Sequence, residues 1–77
     1  MADKKEDKYL IKLGENIRQI RLKKGISQKY LAEECDIEPP NMRRIEAGKT
    51  NPTTKTLLRI SNVLGVDIKD LMVSNLV

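Results

Sequence analysis

The stretch QKYLAEECDIEPPNMRRIEA, residues 28–47, decides the fold because it contains two short helical patterns separated by a turn. Leu31, Ala32 and Cys35 recur at helical spacing, so we expect them to face a core. Asp36 stands where the chain must reverse, a position at which glycine is usual and aspartate is tolerated in a left-handed conformation. The pattern therefore predicts one helix, a tight turn and a second helix.

The second helix of this stretch, predicted over residues 39–47, begins with two prolines. Pro39 and Pro40 would occupy its first turn, where a missing N–H has little cost and a restricted φ favours the helix. Met42 and Ile45 supply a buried face, which leaves the other side chains presented outward. Two helices joined by a turn of three or four residues are typical of a DNA-binding helix-turn-helix, whose second helix lies in the major groove.

Glycines and capping residues divide the rest of the chain into three further helices. The first predicted helix ends at Gly25, and Ser27 is the expected N-cap of the next one. Thr53 caps a fourth helix that ends at Gly65, and Asp67 caps a short fifth helix. Because no alternating strand pattern occurs, the predicted fold class is all-α, a compact five-helix bundle. The residues assigned to the inner faces of the first and fourth helices are Leu10, Leu13, Ile17, Ile20, Leu57, Ile60, Ser61 and Leu64.

Four segments of the chain resemble the Cro and phage-repressor type of helix-turn-helix, the XRE-like family of small bacterial and phage regulators. They occur in order between residues 13 and 71, a span of about three quarters of the chain. The resemblance implies a bundle of the lambda-repressor-like type and a function as a sequence-specific DNA-binding transcriptional regulator. The segments are LGENIRQIR (13–21), KKGISQKYLAEE (23–34), NMRRIEAGKTNPTTKTLLRI (41–60) and VLGVDIKDL (63–71).

The second helix of the motif, residues 39–47, is called the recognition helix below. Five residues on its outer face are candidates for base contacts. Arg44 is the preferred one, because its guanidinium can engage O6 and N7 of guanine together. Arg43 contacts either a base or a phosphate, and Asn41 either pairs with adenine or bonds to the helix start. Pro39 and Pro40 offer only apolar surface where the family commonly has polar side chains, so we expect modest sequence specificity or more shape readout.

Polar residues on either side of the recognition helix are candidates for phosphate contacts, which position a module without specifying sequence. Gln28 resembles the phosphate-binding glutamine of the family, whereas Ser27 is also a plain N-cap. The resemblance further implies that Arg21 and Glu46 form an ion pair between the first and third helices. The residues assigned to phosphate contacts are Gln28, Ser27, Lys49, Thr50, Asn51, Lys29 and Lys24.

Length and composition exclude several classes of function. A chain of 77 residues with a net charge of +4 is compatible with one small domain and a polyanionic partner. The single cysteine and the lack of histidine argue against an internal disulfide, a metal centre and an enzyme, and no cofactor or small-molecule ligand is expected. No leader or membrane span is recognised, so a cytoplasmic location is expected. The predicted divisions are a charged, flexible segment (1–8), the domain (9–73) and an apolar tail (74–77).

The leading hypothesis is a repressor that binds double-stranded DNA as a homodimer through its fifth helix and C-terminal tail. An antitoxin or a restriction-modification controller would bind DNA in the same way. A protein-interaction module with weak DNA binding is a further alternative, which the two prolines favour. The residues assigned to the dimer surface are Val66, Ile68, Met72, Val73, Leu76 and Val77, although several of them could instead pack on the first helix.

Overall fold

The computed structural model describes the backbone of residues 4–72 and the side chains of residues 7–72. All regular structure in this range is helical, which confirms the predicted all-α, five-helix fold. The helices are α1 (Lys4–Lys23), α2 (Gln28–Glu34), α3 (Pro39–Glu46), α4 (Thr54–Leu64) and α5 (Ile68–Leu71).

Helix α1 begins earlier than the sequence pattern indicated. The predicted charged segment 1–8 was expected to precede the first helix, but the helix extends back to Lys4. Lysine and glutamate have high helix propensity, so a first turn can form without apolar side chains. Tyr9 packs against the core and links this charged part of α1 to the bundle. Residues 1–3 lie outside the described residues.

The core lies where all five helices meet. Its larger side chains, such as Ile17 and Ile60, are completely buried, and each contributes about 1.5–3 kcal/mol by its transfer from water. Ile20, which was assigned to the inner face of α1, is only half-buried and packs on the core edge. The buried apolar residues are Leu13, Ile17, Leu31, Ala32, Cys35, Met42, Ile45, Leu57, Ile60, Leu64 and Leu71.

The turn between α2 and α3 has the left-handed residue that the sequence predicted. Asp36 has a φ of 57°, in the region that glycine adopts most easily and aspartate tolerates. The N–H of Asp36 donates to the carbonyl of Glu33 at 3.1 Å, and the N–H of Ile37 donates to that of Ala32 at 2.9 Å. These bonds satisfy the last carbonyls of α2, and the chain then enters α3 at Pro39.

Two glycines allow α1 to pack directly on the backbone of α3. A Cβ atom at Gly14 would lie 2.4 Å from the carbonyl oxygen of Ile45, and one at Gly48 would lie 2.5 Å from the Cα of Ile11. Gly48 also has a φ of 73°, which ends α3 in a left-handed turn. The element that approaches Gly14 closely is therefore the C-terminal end of α3.

Helix α5 is attached to α1 by a side chain that the sequence analysis did not identify. The Asn16 Nδ2 atom donates to the carbonyl oxygens of Asp70 at 2.8 Å and Leu71 at 3.0 Å. These carbonyls lie in the last turn of α5, where they have no intrahelical partner. Asn16 therefore holds the C-terminal end of the bundle against α1.

The residues assigned to the dimer surface differ in their exposure. Val66 and Ile68 are half-buried against the core of the same chain, whereas 39% of Met72 is exposed. The other three, Val73, Leu76 and Val77, lie outside the described residues. Within residues 4–72, no helix has the length and hydrophobicity needed to cross a membrane.

Candidate nucleic-acid interface

Helix α3 divides its side chains sharply between core and solvent. Met42 and Ile45 are buried, with Met42 completely enclosed. On the opposite side, Asn41, Arg43 and Arg44 are exposed. Helical periodicity explains this division, because the two buried apolar residues are three positions apart and orient the helix. Of the two prolines at its start, Pro39 is half-buried and Pro40 is exposed. The candidate base-reading residues thus share an accessible surface.

The position of α3 is set by a buried ion pair with α1. The Arg21 Nε atom donates to Glu46 Oε2 at 2.7 Å, and Arg21 Nη2 donates to Glu46 Oε1 at 3.0 Å. Arg21 Nη1 also donates to the carbonyl of Ile26 at 2.9 Å. The two residues are only 7% and 8% exposed, so this bidentate contact is shielded from water. It links the outward-facing helix to the rest of the bundle.

Gln28 has a structural partner in addition to its expected place at the interface. Its Nε2 atom donates to Glu46 Oε1 at 2.9 Å, so Gln28 extends the ion pair to α2. One amide hydrogen remains for a phosphate, since a side-chain amide has two donors. Ser27 is the N-cap of α2, and its Oγ atom accepts from the N–H of Tyr30 at 3.0 Å. The sequence pattern did not predict the hydrogen bond between Gln28 and Glu46.

The loop after α3 places the other candidate phosphate ligands beside the recognition helix. Lys49 and Asn51 are exposed and Thr50 is half-buried. The N–H of Lys49 donates to the carbonyl of Arg44 at 2.9 Å, which brings the start of this loop back against α3. These residues are therefore placed to contact a polyanion that lies along α3.

The two remaining candidate phosphate ligands lie at other places on the bundle. Lys29 is exposed in the first turn of α2. The Lys24 ammonium, in contrast, lies close to Gly65 at the C-terminal end of α4, 3.9 Å from the position of a Cβ atom there. A lysine in that place interacts favourably with the helix dipole. The conformation of Lys24 thus directs its charge toward α4.

A groove between α3 and α4 joins base-reading and phosphate-contacting candidates. Asn41 and Arg44 line it from α3, and Thr50 and Asn51 line it from the following loop. The groove also includes Glu38, which the sequence analysis did not assign to the interface. A carboxylate beside the exposed arginines of α3 is a feature that the sequence pattern did not predict.

Cys35 has no place in this interface. It is 1% exposed, and its burial raises the pKa of the thiol, with Arg59 lowering it and Glu34 raising it as smaller influences. A thiol in such surroundings is a poor nucleophile. Among the residues that the structure describes, no group of histidine, cysteine, aspartate and glutamate side chains could hold a metal ion.

Comparison with known families agrees with this geometry. A helix-turn-helix family model matches residues 17–71, from the C-terminal half of α1 to the end of α5. The chain belongs to the XRE-type helix-turn-helix family. The match includes both helices of the motif, the buried ion pair and the loop after α3. This helix-turn-helix protein is therefore a DNA-binding transcriptional regulator.

Two curated relatives show how this helix-turn-helix regulator compares with others. It is 43% identical over 60 residues to the control protein C.BamHI of Bacillus amyloliquefaciens, an alignment that covers 77% of this chain and 74% of that protein. It is 32% identical over 62 residues to the transcriptional regulator DdrOP3 of Deinococcus deserti, covering 80% of this chain and 48% of that protein. The first relative is named as a control protein and the second as a transcriptional regulator.

Solved structures share the fold of this helix-turn-helix regulator over most of its length. The restriction-modification controller protein C.AhdI from Aeromonas hydrophila superposes with a TM-score of 0.79 at 27% identity, covering 82% of this chain and 96% of the other. The hypothetical transcription factor NHTF from Neisseria has a TM-score of 0.80 at 26% identity, covering 95% and 82% respectively. The relation thus extends beyond the two helices of the motif.

Proposed function

We propose that this regulator represses transcription by binding an operator as a homodimer, with α3 of each copy in the major groove. The observation that supports this most directly is the exposed row of Asn41, Arg43 and Arg44 on a helix whose opposite side is buried. Arginine and asparagine supply the bidentate contacts that distinguish guanine and adenine in the major groove. The buried pair of Arg21 and Glu46 keeps that helix in one orientation.

The backbone of the DNA is held by residues at the two ends of the motif. Lys49, Thr50 and Asn51 follow α3, and Lys29 lies on the first turn of α2. Their side chains supply positive charge or hydrogen-bond donors to phosphate oxygens, and these contacts are the same for every base sequence. Gln28 contributes its remaining amide hydrogen, while Lys24 adds positive charge at longer range.

A dimer is proposed because one short helix makes few base contacts. Two copies related by a twofold axis read half-sites about one helical turn, roughly 34–36 Å, apart. The exposed Met72 at the end of α5 supplies apolar surface for the second copy. The tail residues Val73, Leu76 and Val77 are proposed to complete that surface. The protein acts by binding alone, in the cytoplasm, without a cofactor.

A control function in a restriction-modification system is a second candidate that the comparisons favour. C.BamHI is named as a control protein, and C.AhdI as a restriction-modification controller. This chain covers 74% of the first and 96% of the second, in contrast to 48% of DdrOP3. The similarity therefore extends over most of the length of both control proteins. The genes beside the one for this protein distinguish this candidate from a general repressor.

Selection of bound duplexes from a random DNA pool tests the proposal. We expect a palindromic consensus whose two halves are separated by about one helical turn. Transcription from a promoter carrying that consensus should then fall when the protein is added. Failure to enrich any motif would contradict operator binding and favour a protein-interaction module. An enriched motif without twofold symmetry would contradict the dimer while retaining the DNA-binding function.

A further inference from the structure

We propose that Glu38 is a further specificity-determining residue, whose carboxylate accepts a hydrogen bond from the N4 amine of a cytosine beside the base that Arg44 reads. This inference rests on the proposed placement of α3 in the major groove. Glu38 is the residue immediately before α3, and its side chain is exposed. It therefore lies at the end of the recognition helix that contacts base edges.

Among the residues that the structure describes, the Glu38 side chain does not cap the helix that it precedes. A carboxylate at this position ordinarily accepts a hydrogen bond from one of the first N–H groups of the helix. Here Pro39 and Pro40 have no N–H, and the N–H groups of Asn41 and Met42 donate to the Glu38 carbonyl oxygen at 2.9 and 3.1 Å. The side chain makes no capping hydrogen bond to α3 within the described structure. Its acceptor oxygens are thus available to a ligand.

The groove between α3 and α4 brings the Glu38 carboxylate together with the hydrogen-bond donors of Asn41 and Arg44, the candidates for base contacts. Glu38, Asn41 and Arg44 all line it. An ionised glutamate only accepts hydrogen bonds, and an arginine only donates them. In the major groove, cytosine presents a donor at N4, and guanine presents acceptors at O6 and N7. Glu38 can therefore accept from cytosine, and Arg44 can donate to guanine. Pro39 and Pro40, which lie between them, have no side-chain donor or acceptor for either base.

The charge balance of the groove permits DNA to approach this carboxylate. Asp36 and Glu38 line it with negative charge, while Arg44 and Arg59 line it with positive charge, so the four formal charges cancel. A carboxylate that only repelled phosphates would weaken binding to every sequence alike. A carboxylate that accepts from cytosine instead changes the preference at one base position. Replacing Glu38 therefore changes the affinity for all sequences if the carboxylate only repels phosphates, and the preference at one base position if it accepts from cytosine.

The test is selection from a random duplex pool with the full chain, Glu38→Gln and the control Asp36→Asn. We expect the wild-type consensus to contain a cytosine whose replacement weakens binding about tenfold, since a good base contact discriminates by that order. Glu38→Gln should no longer prefer cytosine over adenine, because its amide both accepts and donates and can therefore also pair with adenine. It should keep the guanine preference that depends on Arg44. Asp36→Asn removes a second charge from the same groove, and asparagine tolerates its left-handed φ. That control should keep the wild-type consensus.

An unchanged consensus for Glu38→Gln, with affinity raised for all sequences as in Asp36→Asn, would overturn the assignment of Glu38. Failure of the wild type to enrich any motif would instead overturn the proposed operator binding, so the two failures are distinguishable. Circular dichroism melting establishes that both variants are folded before selection. Both substitutions are nearly isosteric and exposed, so the melting temperatures should stay close to that of the wild type.

Discussion

Arg21 of α1 holds the carboxylate of Glu46 on α3 through two hydrogen bonds, from Nε at 2.7 Å and from Nη2 at 3.0 Å. Both residues are more than nine-tenths buried, so neither charge has water as an alternative partner. Glu46 also accepts from Gln28, and Arg21 also donates to the carbonyl of Ile26. One buried network thus connects α1, α2 and α3 directly behind the exposed arginines of the recognition helix.

Removing Arg21 should strongly destabilise the fold. Arg21→Ala leaves the Glu46 carboxylate buried without its charged partner, an effect of roughly 3–5 kcal/mol on the free energy of unfolding. Urea denaturation measures this change. Arg18→Ala is the matched control, because Arg18 is exposed on the same helix and its loss should change stability by less than about 0.5 kcal/mol. Equal midpoints for the two variants would contradict the importance of the pair.

A methyl group at Gly14 should separate α1 from α3. Alanine has higher helix propensity than glycine by about 1 kcal/mol, so Gly14→Ala would stabilise an isolated helix. In the folded protein its Cβ would overlap the carbonyl of Ile45, and we expect a net destabilisation of about 1–3 kcal/mol. DNA affinity should also fall, because α3 must move.

Gly25→Ala is the comparison for Gly14→Ala. A Cβ atom at Gly25 meets no atom within 4 Å, although its φ of 69° makes the substitution strained. It should lower stability through the local backbone alone and leave the DNA affinity of the folded fraction unchanged. Chemical denaturation and a fluorescence-anisotropy titration measure the two quantities. A more stable Gly14→Ala protein would contradict the close contact of α1 with α3.

Loss of the Asn16 side chain should release the end of α5. Asn16→Ala removes two hydrogen bonds to the carbonyls of Asp70 and Leu71, a loss of about 1–2 kcal/mol in unfolding free energy. Hydrogen exchange should rise at α5 more than at α2. Gln19→Ala is the control, since Gln19 is exposed on the same helix. If Asn16→Ala leaves exchange at α5 unchanged, the side chain does not anchor that helix.

Arg44 and Lys49 should differ in what they contribute to DNA binding. Arg44→Ala is expected to relax the preference at one base position, with a loss of about 1–3 kcal/mol in discrimination. Lys49→Ala should weaken binding to all sequences about equally. It should also reduce the slope of log affinity against log salt concentration by about one, as expected for the loss of one phosphate contact. Titrations of the selected operator and of single-base variants over a range of salt concentrations measure both effects. Equal consequences from the two substitutions would refute this division.

Cys35 should be unreactive in the folded protein. Burial raises the pKa of its thiol, so little reactive thiolate is present at pH 8, and access to the sulfur is closed. Labelling by a thiol reagent at pH 8 should therefore be slow in buffer and fast in denaturant. The native rate should increase with pH as thiolate forms. Rapid labelling of the native protein at pH 7 would place Cys35 at the surface instead.

Local patterns were sufficient to predict much of the helix-turn-helix. The spacing of Leu31, Cys35, Met42 and Ile45 predicts which faces of α2 and α3 are buried, because helical periodicity is a property of the chain itself. Asp36 marks the left-handed turn for a similar reason, since few residues tolerate a positive φ. The start of α1 was predicted too late, because charged residues with high helix propensity extend a helix without an apolar signal.

Contacts between distant residues were predicted less completely. The pairing of Arg21 with Glu46 came from family resemblance, but the bonds of Gln28 to Glu46 and of Asn16 to α5 were not anticipated. Polar residues occur on both exposed and buried positions of a helix, so their partners depend on how the helices are placed. For the same reason, sequence spacing did not indicate that Glu38 shares a groove with Arg44.

The sequence alone therefore determined the five helices, the buried apolar stripes and the outward basic face of α3, because each depends on residues near one another in the chain. Tertiary packing decided which polar groups support that face and which share its accessible surface. Packing decided that α3 is the element that lies against Gly14, and it placed Glu38 in the same groove as Arg44. The physical reason is that hydrogen bonds and charge interactions act over a few ångströms in space, independently of sequence separation.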